Sequence, residues 1–137
     1  MKSAIKAGLC YFLLVFAAAF VLGAVRTRLI EPNLGQMAGV AVELPVILAW
    51  CWIVCGWLVR GFRVPTRATA RLTMGLLAFV LILVADAAIA TIGLQRSLAQ
   101  HLADYARPPL LLGLAAQLVF AAMPWLRSKI VKPRRSD

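Results

Sequence analysis

Acid is scarce in this sequence. Five Asp and Glu stand against fifteen Lys and Arg, a net charge of +10 in 137 residues. Histidine occurs once, as His101. With no Cys–His or Ser–His pairing at a common depth and no phosphate-cradling glycine loop, the usual parts of an active site are missing, and no enzyme activity is expected. The three cysteines, Cys10, Cys51 and Cys55, lie in apolar stretches without further ligands beside them. They read as small packing residues, so neither a metal site nor a cofactor is expected. A low-complexity linker and an internal repeat are both absent, as is the strand-like alternation that a membrane β-barrel needs.

What is there is apolar. Hydrophobic residues make up 63% of the chain and the mean hydropathy is +0.88, too high for a soluble domain of this length. Four stretches stand out, 7–25, 38–59, 72–94 and 110–126. Each falls in the range of about 17–25 residues that carries a helix across a bilayer. The expected fold is therefore all-α, a transmembrane four-helix bundle forming one domain. The first stretch follows Lys2 and Lys6 as in a signal peptide, but its 19 apolar residues exceed the ~7–15 of such segments. No small-x-small cleavage site follows it, so it reads as an uncleaved first span.

Charge then sets the expected orientation. Lys2, Lys6, Arg60, Arg63, Arg67, Arg71, Arg127, Lys129, Lys132, Arg134 and Arg135 fall on one side of such a bundle, and only Arg26, Arg28, Arg96 and Arg107 on the other. Positive loops stay in the cytoplasm, which puts both termini and the middle loop there and makes the chain a multi-pass inner-membrane protein. Its partners are the lipid bilayer, with anionic headgroups against the basic tail and middle loop, and a second copy or another membrane protein. A nucleic-acid partner is not expected, since that surface would bring aromatics and a soluble platform.

Between the spans, Glu31-Pro32-Asn33-Leu34-Gly35 has the order of a turn. Gly35-x-x-x-Gly39 has the spacing that lets two helices approach closely. Thr66 is a candidate cap for the third span. Residues 97–106 place Leu98, Leu102 and Tyr105 on one stripe, as in a short amphipathic helix on the outer surface. Pro108 and Pro109 suit the first turn of the fourth span.

Polar side chains inside the apolar stretches are the candidates for function, because a charge there costs ~2.5–3.5 kcal/mol. Glu43 lies on the second span, Asp86 on the third and Gln117 on the fourth. At 1.5 Å per residue they sit roughly 8, 12 and 11 Å below the outer boundary. Arg26 and Arg28 end the first span on that side. Pro45 leaves the Ala41 carbonyl without its helical donor, within a turn of Glu43. The candidate cluster is Arg26, Arg28, Glu43, Asp86 and Gln117, with no catalytic, cofactor or metal role assigned. Two readings stay open: the cluster pins helix order and register, or one carboxylate exchanges a proton or cation with the outer side.

The stretches GAVRTRLIEPNLGQMAGVAVELP (23–45), RLTMGLLAF (71–79) and GLAAQLVFAAMP (113–124) resemble a family of small four-span integral membrane proteins of bacteria that carries no established activity. The resemblance implies the membrane fold and joins Arg26, Pro32, Gly35, Glu43, Pro45 and Gln117 in one pattern. It implies no mechanism. Asp86 stands where the family pattern has glutamate. A weaker resemblance to four-helix small multidrug exporters founders on their first-span glutamate, since residues 7–25 contain no acid.

Overall fold

The computed structural model describes residues 1–131; Lys132, Arg134 and Arg135 of the expected basic tail lie outside the described residues. The chain runs as α1 (Lys2–Val25), α2 (Glu31–Leu34), α3 (Gln36–Gly61), α4 (Ala68–Ala88), α5 (Leu98–Asp104) and α6 (Pro108–Ile130). π-Helical turns follow α1 at Arg26–Ile30 and α4 at Ile89–Gly93. All the regular structure of the described residues is helical, as expected.

Four helices are long and apolar enough to cross a membrane: Lys2–Leu34, Gln36–Gly61, Ala68–Gly93 and Pro108–Ile130. They form a closed square in which α1 packs beside α3 and α4, and α6 packs beside α3 and α4. The diagonal is bridged at the centre by Tyr11 of α1, fully buried, whose ring stacks on Phe120 of α6 at 4.4 Å. Its hydroxyl donates to the Phe120 carbonyl at 3.3 Å. Around this pair lie Ala4, Ala7, Val54, Cys55, Met74 and Ala78, all buried. The small residues let backbones approach: a Cβ on Gly8 would stand 2.9 Å from the Met74 carbonyl oxygen, and one on Gly75 would collide with the Ala121 carbonyl. Large apolar side chains such as Phe20, Val21, Trp57, Leu76 and Val84 point outward, the reverse of a soluble bundle and the arrangement a lipid solvent calls for.

Three local expectations are corrected. Residues 31–35 are not a turn as a whole: the helix carries on to Leu34, because Pro32 in a first turn sacrifices no helical bond, and only Gly35, at φ +84°, reverses the chain. The Gly35–Gly39 pair is not a helix-packing surface, since a Cβ on Gly35 would meet nothing and one on Gly39 would meet the Arg26 side chain. Thr66 does not cap α4. Arg67 takes the cap position in an extended conformation, and Arg71, buried, ties the connection down through Nε–H to the Pro65 carbonyl at 2.9 Å. The prolines that open α6 do occupy its first turn.

Candidate functional site

The end of the bundle away from the chain termini gathers the polar side chains. Arg26 enters from the π-helical turn after α1. Its Nε lies 3.1 Å from Glu31 Oε1 and its Nη1 3.0 Å from Glu43 Oε2 on α3. On the opposite side, Gln117 of α6 donates from Nε2 to Asp86 Oδ2 of α4 at 2.7 Å. Each of the four apolar spans thus supplies one member of two side-chain pairs. Of the candidates from the sequence, Arg26 is joined to Glu43 and Gln117 to Asp86, and Arg26 and Gln117 line the same two cavities.

Arg28 is not. It is exposed on the other face of the turn, beside Phe20, Val21 and Leu29, with no ion pair among the described residues. Glu31 takes its place. In an α-helix residues five apart diverge by about 140°, whereas the wider π turn brings position five much nearer to position zero, and the Glu31 N–H accordingly donates to the Arg26 carbonyl. Gly39 completes the arrangement by leaving room for the aliphatic stem of Arg26. No spacing rule for α-helices would have joined Arg26 to Glu31.

The ion pairs are close but poorly aligned. Arg26 Nε, Glu43 Oε2 and Gln117 Oε1 are buried with no hydrogen-bond partner among the described residues. Such atoms are costly in low dielectric, about 1–3 kcal/mol each if left dry. Two cavities are lined by other parts of the same residues. One, of about 200 Å³, is lined by Arg26, Glu43, Gln117 and Gln36 at one side and by apolar residues such as Val15, Ile47, Ile82 and Phe120 elsewhere. The other, of about 350 Å³, is lined by Asp86, His101, Tyr105 and again Arg26 and Gln117. Arg26, Leu110, Gly113 and Gln117 separate the two.

Helix α5 covers the second cavity. Ser97 caps it in a reciprocal box: its Oγ accepts from the Gln100 N–H, and Gln100 Oε1 accepts from the Ser97 N–H. Asp104 at its end holds Arg96 at 2.6 Å and Arg107 at 3.5 Å. His101 meets Tyr105 edge-on at 5.1 Å. Burial, and then the Asp86 charge, raise the Tyr105 phenol above its usual range.

The opposite end of the bundle holds cations and no described carboxylate. Arg127 stacks over the Trp52 ring at 4.7 Å and donates from Nη1 to the Trp52 carbonyl at 2.9 Å. The Gly56 backbone leaves space for its guanidinium. No family model, curated protein or solved structure matches the chain.

Proposed function

We propose that this chain is a small multi-pass protein of a bacterial inner membrane with a structural or accessory role, in which the Arg26–Glu43 and Asp86–Gln117 pairs pin helix order and register. One observation carries the reading: each carboxylate inside the spans is met by a side chain from a neighbouring helix. In hydrocarbon the alternative to such a partner is an unsatisfied polar group, so the pairs select one packing over its competitors. The surplus of cations at the other end supports a cytoplasmic position for both termini and the 62–67 connection, with anionic headgroups against it. A second copy or a larger membrane protein is the partner of such a subunit. The sequence resemblance to small four-span bacterial membrane proteins agrees with this reading.

A double-mutant cycle tests it. Arg26→Met should lower unfolding stability by roughly 3 kcal/mol by leaving its carboxylates unmatched. Glu43→Gln added to it should recover part of that loss. Additive effects of the two substitutions would sink the pinning role. Cross-linking in mild detergent tests the partner, and a monomer under those conditions would argue against an accessory subunit.

A specific observation favours a second reading, a proton- or cation-linked transporter. Glu43 and Asp86 each border a cavity, and Glu43 Oε2 and Gln117 Oε1 accept no hydrogen bond from the described residues. Flux into proteoliposomes that disappears in Glu43→Gln and Asp86→Asn would establish it, and wild-type flux in both would refute it.

A further inference from the structure

Arg28 is the cation that the polar cluster leaves out. It is exposed and forms no ion pair among the described residues, and Glu31, the acid nearest to it in sequence, is turned to Arg26. The apolar surface beneath it is hollow. A groove of about 350 Å³ is lined by Arg28 with Phe20, Val21, Ala24, Val25 and Leu29. A second, of about 490 Å³, shares Val21 with the first and lies between α1 and α3, reaching past Ala17 and Ala18 to Leu14, Val46 and Trp50. Arg28 is the single charged residue that lines either groove. At the far end the Trp50 indole N–H donates to the Leu14 carbonyl at 3.3 Å, which fixes the ring across the seam between the two helices.

The two grooves follow one stripe of the first span. Leu14, Ala18, Val21, Val25 and Arg28 recur at steps of three and four. From Leu14 to Arg28 the stripe is roughly 21 Å long at 1.5 Å per residue. A bilayer with its headgroups measures about 40–45 Å, so the stripe has the depth of one leaflet, with its cation near the end of the span. Charge selects the occupant. Two copies inserted the same way round are related by an axis along the bilayer normal, so a two-fold contact on this face would set Arg28 against Arg28 with no acid between them. A zwitterionic lipid brings a cation of its own to the guanidinium. An anionic phospholipid brings a phosphate, whose oxygens match the arginine fork, and a chain of one leaflet's length.

We propose that this groove is a binding site for an anionic phospholipid, with its phosphate on the Arg28 guanidinium and one acyl chain lying over Val25, Val21 and Ala18 to end against Trp50. The site goes beyond helix pinning, because Arg28 takes no part in the polar pairs that join the helices. It also lies at the opposite end of the bundle from the basic 62–67 connection, where headgroup contact rests on the surplus of cations alone.

Phosphatidylglycerol carrying a diazirine near the end of one chain tests the site, with the full chain held in phosphatidylcholine nanodiscs. Photolysis and peptide mapping should place label on Leu14, Ala17, Ala18, Val46 and Trp50 at roughly five times the level found on the exposed α4 face at Leu76, Val80 and Val84. Unlabelled phosphatidylglycerol should compete for the groove label, and added phosphatidylcholine should not. Arg28→Gln should bring the groove down to the level of α4. Arg28 is exposed and unpaired, so this variant keeps the fold. Lys129→Gln, at the other end of the bundle, should leave the groove label unchanged. Ala17→Leu should lower it by filling the groove while Arg28 stays in place. Equal label on the groove and on α4, equal competition by phosphatidylcholine, or undiminished groove label in Arg28→Gln would overturn the site. An unlabelled groove with chain-to-chain cross-links through α1 would overturn it too, and would give the face to a second copy. None of these outcomes touches the pinning role, which is read from the unfolding of Arg26 and Glu43 variants.

Discussion

Gly75 and Gly113 sit on packed helices, yet their neighbours predict opposite responses to the same methyl group. At Gly75 a Cβ would be driven into the Ala121 carbonyl, a backbone atom of α6 that moves only with the whole helix. Gly75→Ala should therefore cost about 1–3 kcal/mol as an overpacking change. Gly113→Ala should be neutral or stabilise by up to about 1 kcal/mol, since only helix propensity acts there. Denaturant unfolding in mixed micelles separates the two. At this scale the sequence was informative about identity and less so about geometry. The expense of an acid in a span singled out Glu43 and Asp86, and topology brought Arg26 and Gln117 to their level. The choice between Glu31 and Arg28 was not legible, because it depends on a π-helical turn, and a π turn has no periodic signature in five residues.

Among the elements, α5 is the one that local chemistry alone should hold. A helix of seven residues is far below the length that persists in water without support. Its capping box and the Arg96–Asp104–Arg107 bridge provide that support. Ser97→Ala should remove about 1 kcal/mol from α5 and speed amide exchange at residues 98–104 while leaving α1, α3, α4 and α6 protected; uniform loss of protection would show that α5 is instead held by the bundle. The amphipathic stripe of residues 97–106 made this helix readable in the sequence. The helical course of residues 31–34 was masked because proline and asparagine serve both turns and first helical turns. Only the positive φ of Gly35 tells which role applies, and that is a property of the fold.

For the whole molecule, length and hydropathy were enough to identify four long apolar helices, since a 30 Å slab dictates both. Which helix stands beside which was not legible, because lipid-facing and buried residues are equally apolar. The order comes instead from small residues, such as Gly8 against Met74, and from polar pairs. The proposed orientation predicts that a periplasm-dependent phosphatase fused after Asn33 is active and one fused after Thr66 is silent. The reverse pattern would invert the topology.

The square packing has a consequence for biogenesis. Arg26 and Glu43 belong to the first helical hairpin, α1 with α3, and Asp86 and Gln117 to the second, α4 with α6. Each half of the chain carries the partner for its own in-span acid, so each can enter the bilayer as a self-matched unit before meeting the other. Two fragments divided within residues 62–67 and expressed together should therefore reassemble. Exchanging Asp86 with Gln117 should be tolerated, because both positions lie in one hairpin; exchanging Glu43 with Gln117 should not, because Arg26 would then depend on a helix that has not yet been made.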